Sequence, residues 1–125
     1  MLLNSFFEIL STSNHEDKIL VKVKLKRNHS IYDGHFPGNP VVPGVCLIQM
    51  IREVIEVLQN QKLRLDGADE VKFLNIVNPL ISEILTIEIK KRTNTDNPLA
   101  FNVIVTDESK VYIKMKADFS VYQSV

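Results

Sequence analysis

The chain has 125 residues, 45% hydrophobic and 24% charged, which suits a single globular domain over residues 1–125 and excludes a disordered chain. Fifteen basic residues offset fifteen acidic ones, so no global field favours nucleic acid or an anionic membrane. Every apolar run is shorter than the roughly 18–20 residues of a membrane span, so membrane insertion is not expected.

Taken in chain order, residues 6–11 read as a strand with weak alternation. Residues 19–27 alternate cleanly, with Val21, Val23 and Leu25 on one face and Lys22, Lys24 and Lys26 on the other. A proline-rich stretch follows, and from Gly44 the pattern changes to helical spacing. Leu47, Ile48, Ile51, Val54, Ile55 and Leu58 recur every three or four residues, and Val45, Cys46 and Met50 widen the apolar surface. A helix so apolar is expected to be wrapped by sheet on most sides and to end in the polar run 60–67. Strands are then predicted over 71–77, over 84–90 with Leu85, Ile87 and Ile89 inward, and over 99–106 with Phe101, Val103 and Val105 inward. A last strand over 110–122 turns Val111, Ile113, Met115, Ala117, Phe119 and Val121 inward. Residues 94–98 and 107–109 read as turns. Two strands, a stiff loop, one buried helix and four strands predict an α+β domain in which an antiparallel sheet curls round a central helix.

The stiff loop carries the chemistry. Prolines at 37, 40 and 43 fix φ and restrict the residue before each, while glycines at 38 and 44 allow close backbone approach. His35 sits at the start of this segment, and an imidazole titrates near neutrality, as a general base or acid must. Pro43-Gly44 opens the helix, whose first N–H groups have no intrahelical acceptor. Without a Cβ at Gly44, a carbonyl oxygen can approach them. A base beside such a dipole suits proton abstraction next to a thioester carbonyl. A lone loop histidine carries little by itself.

The stretch HFPGNPVVPGV, residues 35–45, followed by the apolar helix, resembles the beta-hydroxyacyl-acyl-carrier-protein dehydratases of hotdog fold, whose pattern HFPGxPxxPGV is matched at every fixed position. Val71-Lys72-Phe73 sits where that family's next strand carries a similar basic-aromatic pair, and the strand order agrees to the C-terminus. The resemblance implies that His35 removes the α-proton of a 3-hydroxyacyl thioester, that the Gly44 N–H polarises the thioester carbonyl, and that an acidic helix residue helps expel the hydroxyl as water. It also implies an apolar acyl tunnel at a subunit interface, lined here by Phe36, Pro43, Val45, Leu47 and Ile48. The acyl chain would arrive on the phosphopantetheine of an acyl carrier protein, with no further cofactor and no metal. A homodimer or higher homo-oligomer is implied, or a heterodimer with a paralogue.

The chain departs from that pattern where the helix acid should stand, fourteen residues after the histidine, at Gln49. A carboxamide keeps size and hydrogen-bonding reach but has no proton to exchange near neutral pH. A positioned acid or base is worth about 10²–10⁴ in rate. Three readings stay open: dehydration with His35 serving both proton transfers and Gln49 orienting the leaving hydroxyl; a carboxylate supplied by Glu53, four residues on; or a binding or partner subunit that has lost the chemistry. A thioesterase on the same fold fits the loop less well. A second departure falls at residues 78–82, where the family's Pro-Gly-Asp turn is replaced by Asn78-Pro79-Leu80-Ile81-Ser82.

Cys46, the single cysteine, cannot form an internal disulfide and reads as a small core residue. MLLNSFFEIL contains Glu8 and lacks the basic start of a signal peptide, so a cytoplasmic location is expected. His15 and His29 stand in polar, turn-like surroundings, and no His, Cys, Asp and Glu spacing suggests a metal site. Lys22, Lys24, Lys26, Lys90, Lys91 and Arg92 offer either a basic patch for an acidic carrier protein or a solvated strand face.

Overall fold

The computed structural model describes residues 1–33 and 40–123, and of Asp69 the backbone only. β1 (Phe7–His15) and β2 (Lys18–Leu25) form a hairpin, and α1 (Gly44–Gln59) follows. Then come β3 (Leu63–Phe73), β4 (Ile84–Lys91), β5 (Ala100–Thr106) and β6 (Val111–Val121). The six strands make one sheet in the order β1-β2-β4-β5-β6-β3, every neighbouring pair antiparallel.

The core forms where two periodicities meet. The inward residues of the central strands (Val21 and Val23 of β2, Leu85 and Ile87 of β4, Val103 and Val105 of β5, Ile113 and Ala117 of β6) are fully buried and cluster with Leu47, Met50, Ile51, Val54 and Ile55 of α1. That is the α+β arrangement the alternation predicts. The helix stops at Asn60, which takes the left-handed conformation (φ 53°) and donates its N–H to the carbonyls of Glu56 and Val57. The side chain of Glu56 then accepts the Leu63 N–H at 2.8 Å and directs the chain into β3.

Three boundaries differ from expectation. β3 begins at Leu63, inside the run read as a helix end, and finishes at Phe73 instead of reaching Val77. Its pairing with β6 shifts register between Leu65 and Gly67 and again between Ala68 and Glu70. Each bulge reverses which face a side chain takes, so the sequence shows no period of two. β1 runs on to His15 because an edge strand with exposed residues can be polar throughout, and it too carries a register shift, between Ile9 and Ser11. In β6 Tyr112 is the extra residue of a bulge opposite Val105 and Thr106. It is therefore buried while Val111 is only half-buried, and at the far end Val121 is exposed.

The 78–82 segment is tied to the β5–β6 turn. Ile81 and Ser82 donate N–H bonds to the Asn78 carbonyl at 3.0 and 2.8 Å. The Ser82 hydroxyl donates to Asp107 Oδ2 at 2.7 Å, and the Tyr112 hydroxyl donates to the same oxygen. Asp107 Oδ1 accepts the N–H groups of Ser109 and Lys110, each at 2.8 Å. Partial burial opposes ionisation of this carboxyl, but the bonds from Tyr112, Ser109, Ser82 and Lys110 outweigh it and hold Asp107 well below the usual carboxylate range. Its stabilisation is therefore complete above the unfolded-state value of about 3.9 and is lost as pH falls below that value. Asp107→Asn is expected to lower the melting temperature by a few degrees at pH 7. The gap to the wild type should narrow progressively as pH falls below 4 in a series of thermal melts.

Candidate active site

Pro43 is the N-cap of α1, with extended backbone (φ −60°, ψ 142°) and no side-chain bond to the helix. A proline has no side-chain acceptor, and the first turn holds no acidic residue. Its carbonyl takes the N–H groups of Cys46 at 2.9 Å and Leu47 at 3.3 Å. No described residue accepts from the N–H of Gly44 or Val45. Among the described residues the positive end of the helix thus has two donors without an acceptor.

Beside these donors lies a mostly apolar cleft of about 300 Å³, lined by Val41, Val42, Pro43, Gly44 and Leu47 on one side and Phe73, Asn75, Ile76 and Val77 on the other. A backbone bond from the Val42 N–H to the Val77 carbonyl at 2.9 Å holds the two walls together. The Phe73 ring lies across Gly44. A Cβ built on Gly44 would stand 2.8 Å from Cε1 and 2.9 Å from Cζ of that ring, closer than carbon atoms tolerate. A side chain at position 44 would have to turn the Phe73 ring aside, and that ring is 53% exposed and free to give way.

The expected site residues fall into two groups. Pro43, Gly44 and Leu47 line the cleft, whereas Val45 is 74% exposed and Ile48 is half-buried outside the lining. Val45 therefore does not widen a wrapped helix surface; it points off the helix start into solvent. His35 and Phe36 lie outside the described residues. Gln49 is half-buried, and its side chain turns along the helix, donating from Nε2 to Glu53 Oε2 at 3.0 Å.

Glu53 is the acidic residue that sequence reasoning weighed but did not place in the core. It is 1% exposed, and its oxygens accept the Leu2 N–H at 2.9 and 3.0 Å and the Leu3 N–H at 2.8 Å, besides Gln49. The available signal is that Glu53 continues the row Cys46, Met50 at spacings of four and three, on the widened apolar side. Its backbone partners, some fifty residues away, leave no mark in the sequence. A carboxylate already engaged by this many donors is not a free acid for substrate, which weighs against Glu53 as the missing proton donor.

Other residues settle more simply. Burial pushes the Cys46 thiol up, in keeping with an inert core residue. Burial, with Cys46 adding to it, pushes the Tyr32 hydroxyl up to about 12, and among the described residues that buried oxygen has no hydrogen-bond partner. His29, expected in solvent, is half-buried; its Nδ1 accepts the Ile31 N–H at 3.1 Å and its ring meets Phe6 edge-on. The basic row is interleaved with acids: Lys24 lies 3.5 Å from Glu83, Lys90 3.1 Å from Asp17 and Arg92 2.9 Å from Asp118. It is not a continuous positive patch.

Gly44→Ala is expected to displace the half-exposed Phe73 ring and to lower stability by less than about 1 kcal/mol. Phe73→Ala in the same chain should recover most of that loss in denaturant titrations, because it removes the group the new methyl meets.

Comparison with known proteins identifies the family and the fold. The family model described as ApeI-like, the ApeI dehydratase, matches residues 11–116. The 3-hydroxyacyl-acyl-carrier-protein dehydratase FabZ of Lactobacillus helveticus is 27% identical over 99 residues, covering 74% of this chain and 66% of that protein. FabZ of Lactiplantibacillus plantarum is 31% identical over 99 residues, covering 71% of this chain and 66% of that protein. The chain thus spans just under two thirds of the length of these relatives. A chain of the dehydratase heterocomplex ApeI:P from Xenorhabdus doucetiae superposes with a TM-score of 0.70 at 17% identity, over 89% of this chain and 95% of that one, a likeness of fold. The chain belongs to the ApeI-like dehydratase family and has its hotdog fold.

Proposed function

We propose that this chain binds a 3-hydroxyacyl group held as a thioester on the phosphopantetheine arm of an acyl carrier protein and dehydrates it to the 2-enoyl thioester. The observation that carries the reading is the pair of N–H groups at Gly44 and Val45 that no described residue accepts, beside an apolar cleft, in a chain of a dehydratase family. His35 removes the α-proton, and the thioester oxygen gathers the charge against the Gly44 N–H. The C–O bond to the 3-hydroxyl then breaks, and the imidazolium returns the proton so that water leaves. Gln49 orients the leaving hydroxyl. No other cofactor enters.

The working unit is an oligomer in the cytoplasm. Val45, Phe73, Leu74, Ile76 and Ile81 are exposed around and beyond the cleft, and Ile76 is 71% exposed, more apolar surface than an isolated domain usually leaves to water. Among the described residues no helix is long and apolar enough to cross a membrane.

A second reading, a partner subunit that binds the acyl carrier without turning over, is favoured by one observation. The side chain at the acid position is a carboxamide bonded to a fully engaged carboxylate.

Incubating the chain with a 3-hydroxyacyl carrier thioester and following the enoyl product by mass separates the two. Under the first reading the wild type turns over, His35→Ala loses about 10²–10⁴ in rate, and Gln49→Ala loses less than about tenfold. No turnover alone, but turnover on mixing with a carboxylate-bearing paralogue, establishes the partner role instead.

A further inference from the structure

Among the described residues that line the cleft beside Gly44, Asn75 alone has a polar side chain. Apolar walls give a ligand room, and the few polar groups set among them fix its orientation and identity. Asn75 lies just past β3, where backbone pairing with β6 is ending, and it is exposed, so a ligand can reach it. The Leu74 N–H still donates to the Tyr112 carbonyl at 2.9 Å. One residue on, the side chain takes over, and Asn75 Nδ2 donates to the Val111 carbonyl at 2.8 Å. A carbonyl oxygen only accepts, so this contact selects the NH₂ end of the carboxamide and leaves Oδ1 without a part in it. The amide is thereby anchored to β6 in a fixed sense, with an acceptor to present.

The helix wall of the cleft is of the opposite kind. No described residue accepts the Gly44 N–H, while the nearby carbonyls of Pro43 and Val77 already accept from Cys46, Leu47 and Val42. Within about 300 Å³, a donor stands on the helix wall and a side-chain acceptor on the strand wall. A ligand that matches both carries an acceptor and a donor a few bonds apart, joined by apolar atoms. In an acyl pantetheine the thioester oxygen is such an acceptor, and an amide N–H follows two methylenes beyond the sulphur.

We propose that Asn75 recognises the pantetheine arm. Its Oδ1 accepts the amide N–H nearest the sulphur while the thioester oxygen faces the Gly44 N–H. The assignment rests on the acyl-binding reading above and extends it from the acyl group to the arm that carries it. The arm lies along the strand wall, and the acyl chain is left to the aliphatic remainder. A thioester that lacks this amide leaves the Asn75 oxygen unmatched and is bound less well.

The test compares two unreactive probes, S-hexanoyl pantetheine and its counterpart with an ester oxygen in place of the amide N–H nearest the sulphur. Each is titrated calorimetrically into the intact chain. The wild type should bind the amide probe about fivefold more tightly, the worth of one net hydrogen bond. Asn75→Leu, close in volume but without a polar end, should bring that ratio near one and leave the affinity for the ester probe little changed. Asn75→Ala should do the same, so the result does not hang on one variant folding. If Asn75 serves only to tie the strand end to β6, both affinities fall together in the variants and the ratio stays, which overturns the assignment. A wild type that binds both probes equally overturns it as well. Hexanoyl coenzyme A, which presents the same arm on a nucleotide, should bind no more tightly than hexanoyl pantetheine; clearly tighter binding overturns the carrier protein as the source of the arm. If neither probe binds the wild type, the acyl-binding reading fails and takes the assignment with it.

Discussion

One constraint organises the molecule: a sixteen-residue helix with too much apolar surface for water must be enclosed, and the concave face of the sheet is what encloses it. Met50, Ile51, Val54 and Ile55 are removed from solvent against residues of β2, β4, β5 and β6 that sit far apart in sequence. Burial of this kind is proportional to area and has no direction, so by itself it would let the helix rotate or slide. Polar contacts fix its setting. Asn60 stops it in the left-handed conformation, Glu56 ties its last turn to β3, and Glu53 ties its middle to the N-terminal turn. The helix start is tied by backbone alone, through the Val42 N–H on the Val77 carbonyl, and no described residue accepts the N–H groups of Gly44 and Val45.

The central strands were legible because each is buried on one face and solvated on the other, so their alternation records the fold directly. β2, β4 and β5 appear within two residues of their expected bounds, and the inward residues named for them are buried. The edges were not legible. β1 and β3 each pair on one side only and carry bulges, and a bulge erases the periodicity that would announce a strand. The helix start was legible through Pro43-Gly44. What covers that glycine was not visible, because close approach by the aromatic ring at the end of β3 is a tertiary fact.

The site shows the same division. Residue types and their order indicated the Gly44 cleft and flagged Gln49 as anomalous, since both follow from a local motif. How the Gln49 side chain is held depends on Glu53, and how Glu53 is held depends on Leu2 and Leu3, which no local pattern links to the helix. Glu53 looked like one more polar residue among Arg52, Glu56 and Asn60. A charged side chain enters a core only when partners meet every lone pair it brings, and such partners are visible only in the folded molecule.

The bonds from Leu2 and Leu3 to Glu53 span fifty-one and fifty positions, among the longest-range polar contacts in the chain. They cannot close until α1 exists, and closing so large a loop carries an entropic cost that local turns do not. During synthesis the first residues therefore wait, with their amides in water, while the β1–β2 hairpin is already able to form. The docking of the N-terminal turn is what turns a buried acid from a liability into an anchor.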